Sequence, residues 1–302
     1  MKRKKTVRIV FGILIVLGVI ELSLRLVFGF CDALLYEPSD KYEYIAKPHQ
    51  DRYRFFSHIY INSYGMRCDE PDSTKKRILG LGDSILFGPA QNDQDSLATT
   101  LFTNETGVQM LNISCGSWGP DNNVAYLREK GTFGAKAMVL VCSSHDAYDA
   151  MSFVPVVGVW PNYPDRQYKL AIWELIERYL IPYIKVKTQT KRYVDVDNNK
   201  DSLQFTVYGL KSEENVHEDS QVIQKSAYFV KGFDNLKQMA DSLGIPFYVY
   251  LHAEQGELKQ GHYNDMGQQI LMWADSANVK LIDGIQEGER PEMYRDVIYR
   301  RS

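Results

Sequence analysis

A serine between two short apolar runs has a setting that suits a nucleophile. Residues 77–88 read Arg-Ile-Leu-Gly-Leu-Gly-Asp-Ser-Ile-Leu-Phe-Gly, which predicts a short buried strand that ends near Gly82 and turns into a helix. Open α/β sheets carry their sites at the carboxyl ends of strands, and helix N-termini favour developing negative charge. Ser84 is therefore a candidate nucleophile. The alternative is that Asp83 or Ser84 only caps the helix.

Two later segments also end an apolar run in small and polar residues. Val108 to Ile113 predicts a second strand, and the loop 114–122, rich in glycine and small residues, follows it, so backbone N–H groups there can approach a ligand closely. Ala137 to Ser143 predicts a third strand, which His145 and Asp146 follow. Carboxyl ends of parallel strands meet at one edge of a sheet, so we expect these segments to converge on the serine.

The rest of the body alternates between amphipathic and short apolar segments, which predicts an α/β fold with a parallel sheet and right-handed crossovers. The further predicted elements are a helix Asn123 to Lys130, a helix Ser226 to Leu243, a strand Ile245 to Leu251, a helix Tyr263 to Ala277, a strand Val279 to Asp283, and a terminal loop or short helix from Gly284. His252 lies just past the carboxyl end of one of these strands. It is a candidate base at the same edge of the sheet.

Composition and charge narrow the classes of function. The chain has 302 residues, 44% hydrophobic and 24% charged, as in a folded protein with one α/β domain and appendages. Six basic residues and one acidic residue lie in the first 30 positions, so the remaining body carries a net charge of −8. This charge argues against a nucleic-acid partner. Cys31, Cys68, Cys115 and Cys142 are too scattered for a disulfide framework or metal ligation, and we expect no metal and no cofactor.

The N-terminus predicts a membrane anchor within residues 1–30. Basic residues precede an apolar stretch at positions 9–28, which is about the length that crosses a bilayer. Basic residues ahead of a span favour a cytoplasmic N-terminus, which places residues 31–302 outside the cytoplasm. Glu21 and Arg25 are spaced to pair on one helix face near the far interface. A cleaved signal peptide is the alternative, although no small-residue cleavage pattern follows.

Two stretches fall outside the alternation of strands and helices. Residues 31–74 are polar and aromatic without long apolar periodicity, and we expect them to wrap the domain surface. Residues 151–225 hold several prolines, a helical stretch from Lys169 to Leu180 and a polar segment, and we expect an insertion over the sheet. Its aromatic residues either form the wall of a substrate cleft or pack the inserted helix. They are Trp160, Tyr163, Tyr168 and Trp173.

The chain from about residue 77 to 299 resembles the SGNH (GDSL) hydrolases, a family of serine esterases and acyltransferases. The resemblance rests on Ile78 to Gly88, Asn112 to Gly119 and Ser143 to Asp146, which are similar to the first three sequence blocks of the family. The anchor and residues 62–67 are similar to membrane-anchored bacterial members. The resemblance implies a flavodoxin-like three-layer parallel sheet.

The resemblance also implies roles for individual residues. Ser84 matches the nucleophile, and the oxyanion-binding glycine N–H of the second block falls on Gly116 or Ser117. The third block of the family has an asparagine that donates to the oxyanion. His145 occupies that position here, and a neutral imidazole still carries one N–H that could donate.

The family's general base is the histidine of an Asp-x-x-His motif after the last strand. Asp296 matches the aspartate, but Tyr299 occupies the histidine position, and tyrosine is a poor general base near neutral pH. His252 and His262 are the candidates to replace it, and His252 is the better placed.

The activity that the resemblance implies is that of an extracytoplasmic serine esterase acting on acyl esters, with O-acetyl groups of a polysaccharide as the expected substrate. A polysaccharide O-acetyltransferase is an alternative, because only the acceptor differs. An alternative from another class is a non-catalytic relative that binds carbohydrate or serves in assembly, which Tyr299 and the short C-terminus favour. A third is an interrupted chain whose full product carried the missing histidine.

Overall fold

The N-terminal apolar run forms one long helix, α1 (Lys2–Leu26), in the computed structural model, which describes residues 2–184 and 228–288. The helix is long and apolar enough to span a membrane, and almost all of it is exposed. The predicted pairing of Glu21 with Arg25 is confirmed, because Arg25 Nε donates to Glu21 Oε1 at 2.7 Å.

The aromatic segment after α1 folds into two hairpins. The strands are β1 (Tyr36–Ser39), β2 (Glu43–Ala46), β3 (Gln50–Arg54) and β4 (Ser57–Ile61), and β1 pairs antiparallel with β2 as β3 does with β4. Strands of four or five residues are too short for a long apolar period, which is why the sequence predicts only a surface wrap. Their inward side chains join the main core, so the segment builds the core as well as covering it. These side chains are Tyr36, Tyr44, Ile45, Ile59 and Ile61.

The short apolar runs of the body form a five-stranded sheet, as predicted. Its strands are β5 (Arg77–Gly82), β6 (Gln109–Ser114), β7 (Met138–Ser143), β8 (Phe247–His252) and β9 (Lys280–Asp283). They lie in the order β6-β5-β7-β8-β9, and all neighbouring pairs are parallel. The α/β class with a parallel sheet is therefore confirmed. This strand order is that of flavodoxin-like doubly wound sheets, in which ligands bind where the order reverses, between β5 and β7.

Helices follow the strands along the chain. They are α2 (Ser84–Phe87), α3 (Ala98–Thr106), α4 (Pro120–Lys130), α5 (Ala171–Leu175), α6 (Gly232–Leu243), α7 (Gln255–Gln260), α8 (Asp265–Ser276) and α9 (Gly284–Gly288). α5 continues through a π-helical turn, Ile176–Leu180, to residue 184, and we call residues 171–184 the insertion helix. The predicted helix in this region is therefore present. The polar part of the insertion, from residue 185 to 225, lies outside the described residues.

Helices α4, α6 and α8 pack side by side on the sheet. Gly232 begins α6 against the backbone of Pro120, where an added Cβ would lie 2.4 Å from the Pro120 carbonyl carbon. Phe233 on α6 stacks near Trp273 on α8, with ring centroids 5.0 Å apart. These contacts cover one face of the sheet and fix the strands whose carboxyl ends carry the site.

The turn after β5 depends on a close approach between strand and helix. An added Cβ at Gly82 would lie 2.8 Å from the Val141 carbonyl oxygen and 3.1 Å from Leu86 Cβ. Asn123 Nδ2 donates to the carbonyls of Gly82, at 3.4 Å, and Ile113, at 3.2 Å, and so ties the ends of β5 and β6 together. The glycine and the asparagine thus fix where the chain turns into Ser84.

We expect Gly82→Ala to destabilise the fold by about 1–3 kcal/mol, because the new methyl group overpacks the β5–α2 turn. The measurement is the free energy of unfolding in urea. Gly256→Ala is the matched control, since an added Cβ there meets no atom within 4 Å. A Gly82→Ala protein as stable as this control would contradict the tight turn.

Candidate functional site

Ser84 lies at the carboxyl end of β5, where the sequence predicts it. It is the first residue of α2 and is half-buried. The preceding residue, Asp83, is 3% exposed, and its Oδ1 accepts the Ile85 N–H at 2.8 Å. The capping role that the sequence allowed for Asp83 is therefore real. It leaves Asp83 Oδ2 and the Ser84 hydroxyl at the point where the strand order reverses.

The end of β7 contributes an imidazole and a second buried carboxylate. Asp146 is 1% exposed, and its Oδ2 accepts the Ser143 N–H at 2.7 Å, which closes the turn after the strand. This turn projects His145 toward β5. Its Nε2 lies 3.8 Å from Asp83 Oδ2 and 3.9 Å from Asp146 Oδ1. The predicted convergence of the β5 and β7 ends is therefore present.

A third carboxylate orients His145 from the other side. Glu254 Oε1 lies 3.3 Å from His145 Nδ1. Glu254 precedes α7, whose buried Glu257 accepts the Ser144 hydroxyl at 2.6 Å and the Glu254 N–H at 3.0 Å. The carboxylate of Glu257 thus locks α7 onto the β7 turn and positions Glu254 against the imidazole.

These charges set the protonation state of His145. Burial disfavours the imidazolium, but the carboxylates of Asp146, Glu254 and Asp83 outweigh it and raise the pKa of His145 to about 10. His145 is therefore a cation at neutral pH rather than the neutral donor that the sequence suggests. A cation is a poor proton acceptor but a strong electrostatic partner for an anion.

Burial also acts on the two aspartates beside His145. It raises the pKa of Asp83, while the nearby imidazoles of His145 and His252 lower it in part. Burial raises the pKa of Asp146 in the same way, and His145 opposes the shift. His145 therefore offsets part of the cost of ionising both buried carboxyl groups.

His252 lies at the end of β8 and joins this group. It is opposite Ser143 in the β7–β8 register and is half-buried. Its imidazole interacts electrostatically with the carboxyl of Asp83, which also lies beside His145. The rival histidine, His262, is exposed, and its Nδ1 lies 3.1 Å from the Tyr263 carbonyl oxygen. The structure therefore brings His252 into the site and leaves His262 at the surface.

The predicted oxyanion loop follows β6, next to β5 in the sheet. Gly116 is half-buried and accepts a hydrogen bond from Tyr44 at its carbonyl oxygen, at 2.8 Å. Ser117 is exposed with φ +56°, and its Oγ accepts from Tyr163 at 3.2 Å. Tyr163 packs edge-on against Tyr36 and Tyr44, with ring centroids 5.1 and 4.9 Å away. This tyrosine of the insertion therefore both packs against the hairpin and lies over the loop.

Asp296 and Tyr299, the predicted fourth block, lie outside the described residues. The sequence did not indicate a functional role for three residues of the site, namely Asp83, Asp146 and Glu254. The signal for the two aspartates was present, since each lies within three residues of a predicted strand end. Glu254 carried no such signal, because its role depends on the Glu257 contact with a distant turn.

The side chains of Asp83, His145 and Asp146 also have the donor types of a metal site. One donor atom from each lies within 4.8 Å of the others, and Asp146 Oδ1 is buried with no hydrogen-bond partner within the described residues. The sequence predicts no metal ligand here. The ion pairs of His145 with the two aspartates explain why these side chains lie together without a metal. The expectation that the protein binds no metal therefore stays a prediction.

Comparison with known proteins adds no family assignment. No protein-family model matches this chain, and no curated protein matches it. The resemblance to SGNH hydrolases therefore rests on the residues quoted above.

We expect the stability of the site to depend on pH through Asp149, which follows the β7 turn. Burial raises the pKa of Asp149 to about 6, with Glu43 and Asp83 adding to the shift and His145 opposing it. The folded state thus holds this proton more tightly than the unfolded chain, whose aspartates have a pKa of about 3.9. The stability that this group contributes is complete below about pH 4 and is lost as the pH rises through about 6.

Asp149→Asn removes that loss, so it is expected to stabilise the protein by about 2 kcal/mol at pH 7.5 and to have little effect at pH 4. Unfolding midpoints measured at both pH values check this. Asp275→Asn, at an exposed position late in α8, is the control. Equal effects of Asp149→Asn at the two pH values would contradict the assignment.

Proposed function

We propose that this protein is a membrane-anchored serine esterase of the SGNH type, with its catalytic body outside the cytoplasm. The observation that carries the proposal is one cluster at the reversal of strand order. It combines a half-buried serine, Ser84, a buried carboxylate, Asp83, and two imidazoles, His145 and His252. Nucleophile, base and charge stabiliser are the groups that acyl transfer needs.

His252 is the candidate base of the proposed reaction. A serine hydroxyl needs a neutral imidazole to take its proton as it attacks the ester carbonyl. His145 is held as a cation by three carboxylates, so it is poorly suited to that task. Asp83 interacts electrostatically with His252 and would stabilise the imidazolium that forms there, in the role of a triad carboxylate.

His145 is the candidate stabiliser of the oxyanion. Attack of Ser84 Oγ turns the carbonyl oxygen into an alkoxide, and backbone N–H groups of Ser84 and of Gly116 or Ser117 would bind it together with the His145 imidazolium. One donor of this kind typically contributes about 10²–10³ in rate. Breakdown expels the alcohol, which takes its proton from His252, and leaves an acyl group on Ser84. Water then completes hydrolysis, whereas a sugar hydroxyl would complete transfer.

The proposed substrates are small acyl esters, with O-acetyl groups of a surface polysaccharide first among them. Two features support an extended, hydroxyl-rich substrate. Tyr163 of the insertion covers the loop at Gly116, and Ser117 beside it is exposed. Tyrosine rings are surfaces on which sugar rings stack. An acetyl group would then enter between this loop and Ser84.

Labelling with a fluorophosphonate tests the nucleophile. We expect the parent protein to react covalently and Ser84→Ala to lose all labelling, since the probe needs an activated serine. Ser242→Ala, which removes an exposed serine of α6, is the matched control and is expected to label like the parent. Absence of labelling in parent and control would contradict the esterase proposal and favour a binding or assembly role.

Replacing each histidine in turn tests whether His252 or His262 is the general base. We expect His252→Asn to lower the rate of p-nitrophenyl acetate hydrolysis by about 10²–10⁴-fold, the usual contribution of a general base. His262→Asn is expected to retain the parent rate, because that imidazole lies at the surface. The opposite pattern would assign the base to His262, and unchanged rates in both would move it to a residue outside the described ranges.

A further inference from the structure

The N-terminal helix and the insertion helix meet at the charged pair of α1. Glu21 accepts the backbone N–H groups of Ala171 and Ile172, at 2.8 and 2.9 Å. Arg25 Nη2 donates to the Lys169 carbonyl oxygen at 2.5 Å. The first N–H groups of a helix have no partner within that helix. The carboxylate of Glu21 therefore caps the insertion helix from α1.

The length of α1 places this contact at the membrane. Its uncharged run from Ile9 to Ile20 covers about 18 Å of helix, whereas the hydrocarbon core of a bilayer is about 30 Å thick. The remaining thickness has to be covered by residues 21–28, which include Glu21 and Arg25. Charged side chains at that depth are costly unless other groups satisfy them. The insertion helix supplies those groups, so its first turn lies at the same depth.

The outward face of the insertion helix is apolar. Leu170, Trp173, Leu180 and Ile184 recur at three- and four-residue spacing, and all four are exposed, Trp173 by 54%. Glu177 is the charged residue of this stripe. A helix with an apolar face open to the exterior and aromatic residues on it is typical of elements that lie in a membrane interface.

The inward face of the same helix fixes its rotation. Glu174 is fully buried, and Arg54 Nη2 donates to its Oε1 at 2.6 Å. Glu174 Oε2 accepts the Cys31 N–H at 2.6 Å, and Tyr179 accepts from Arg54 at 2.9 Å. Because breaking a buried ion pair leaves an uncompensated charge in the core, the apolar stripe cannot turn inward.

A second apolar element flanks the end of α1. Phe28 and Phe56 are 40% and 64% exposed, and their rings pack edge-on with centroids 5.7 Å apart. The Phe55 N–H donates to the Phe28 carbonyl oxygen at 3.1 Å, which holds the β3–β4 turn against the helix end. Exposed aromatic rings beside a membrane-spanning helix match the aromatic belt of membrane interfaces.

We propose that the exposed apolar side chains beside the end of α1, which we call the apolar collar, lie in the boundary between lipid headgroups and acyl chains. The protein then contacts the bilayer through this collar as well as through α1. The collar consists of Phe28, Phe56, Leu170, Trp173, Leu180 and Ile184. The occupant is the bilayer that holds α1, because the collar is continuous with that helix. The inference rests on the anchor in the proposed function and not on the chemistry of Ser84.

Bromine-labelled lipids test the collar. The full chain is reconstituted into phosphatidylcholine vesicles with brominated acyl chains, which quench tryptophan fluorescence on contact. We expect quenching in the parent, its near-complete loss in Trp173→Phe, and its retention in Trp273→Phe, whose side chain packs against Phe233. Equal quenching in the parent and Trp173→Phe would overturn the proposal.

A second probe covers the case in which Trp173→Phe disturbs the fold. An environment-sensitive fluorophore on Leu180→Cys is expected to shift to the blue in vesicles, while the same label on Leu243→Cys, an exposed position that ends α6, is not. Absence of a shift at Leu180→Cys, or its crosslinking to a second copy, would overturn the lipid assignment.

Alkaline carbonate extraction tests the anchor separately: release of the chain would overturn the anchor and the collar together, whereas retention without quenching would overturn the collar alone.

Discussion

A carboxylate buried where the strand order reverses is the constraint on which the site depends. Asp83 follows the last residue of β5. One oxygen of its carboxylate caps α2, and the other is buried away from solvent. Such a charge is tolerated only when cations or donors compensate it. His145, from the end of β7, lies 3.8 Å from Asp83 Oδ2, and His145 and His252, from the end of β8, both lower the pKa of this carboxyl against the effect of burial. The interactions of Asp83 therefore also draw the imidazoles to the strand end that carries Ser84.

The sheet and the position of Ser84 could be predicted because both depend on local signals. Most of the short apolar runs end in glycine, serine or aspartate, and the strands of the structure end at those residues. Because the runs alternate with helices, they require a parallel sheet. The state of His145 could not be predicted from its neighbour Asp146 alone, because its charge also depends on Asp83 and Glu254, which are distant in sequence. The hairpins of residues 36–61 were missed since strands of four or five residues carry too few periods to recognise.

The insertion links the site to the N-terminal helix α1. Tyr163 covers the loop at Gly116, and a few residues later the chain enters the helix that Glu21 caps and Glu174 fixes. The sequence predicted both a helix in this region and a pair between Glu21 and Arg25. It did not predict that the carboxylate of Glu21 accepts the first N–H groups of that helix. Contacts of this kind join positions some 150 residues apart, which no local pattern encodes. They hold the body in one orientation relative to α1.

The most direct test of the central claim is to trap the acyl group. The protein is mixed with p-nitrophenyl acetate, quenched in acid within the first turnover, and digested for mass spectrometry. The account predicts one acetyl group on the peptide that contains Ser84, formed far more slowly in His252→Asn. Turnover of the ester with the acetyl group on another residue, or with none on the Ser84 peptide at any time, would contradict it.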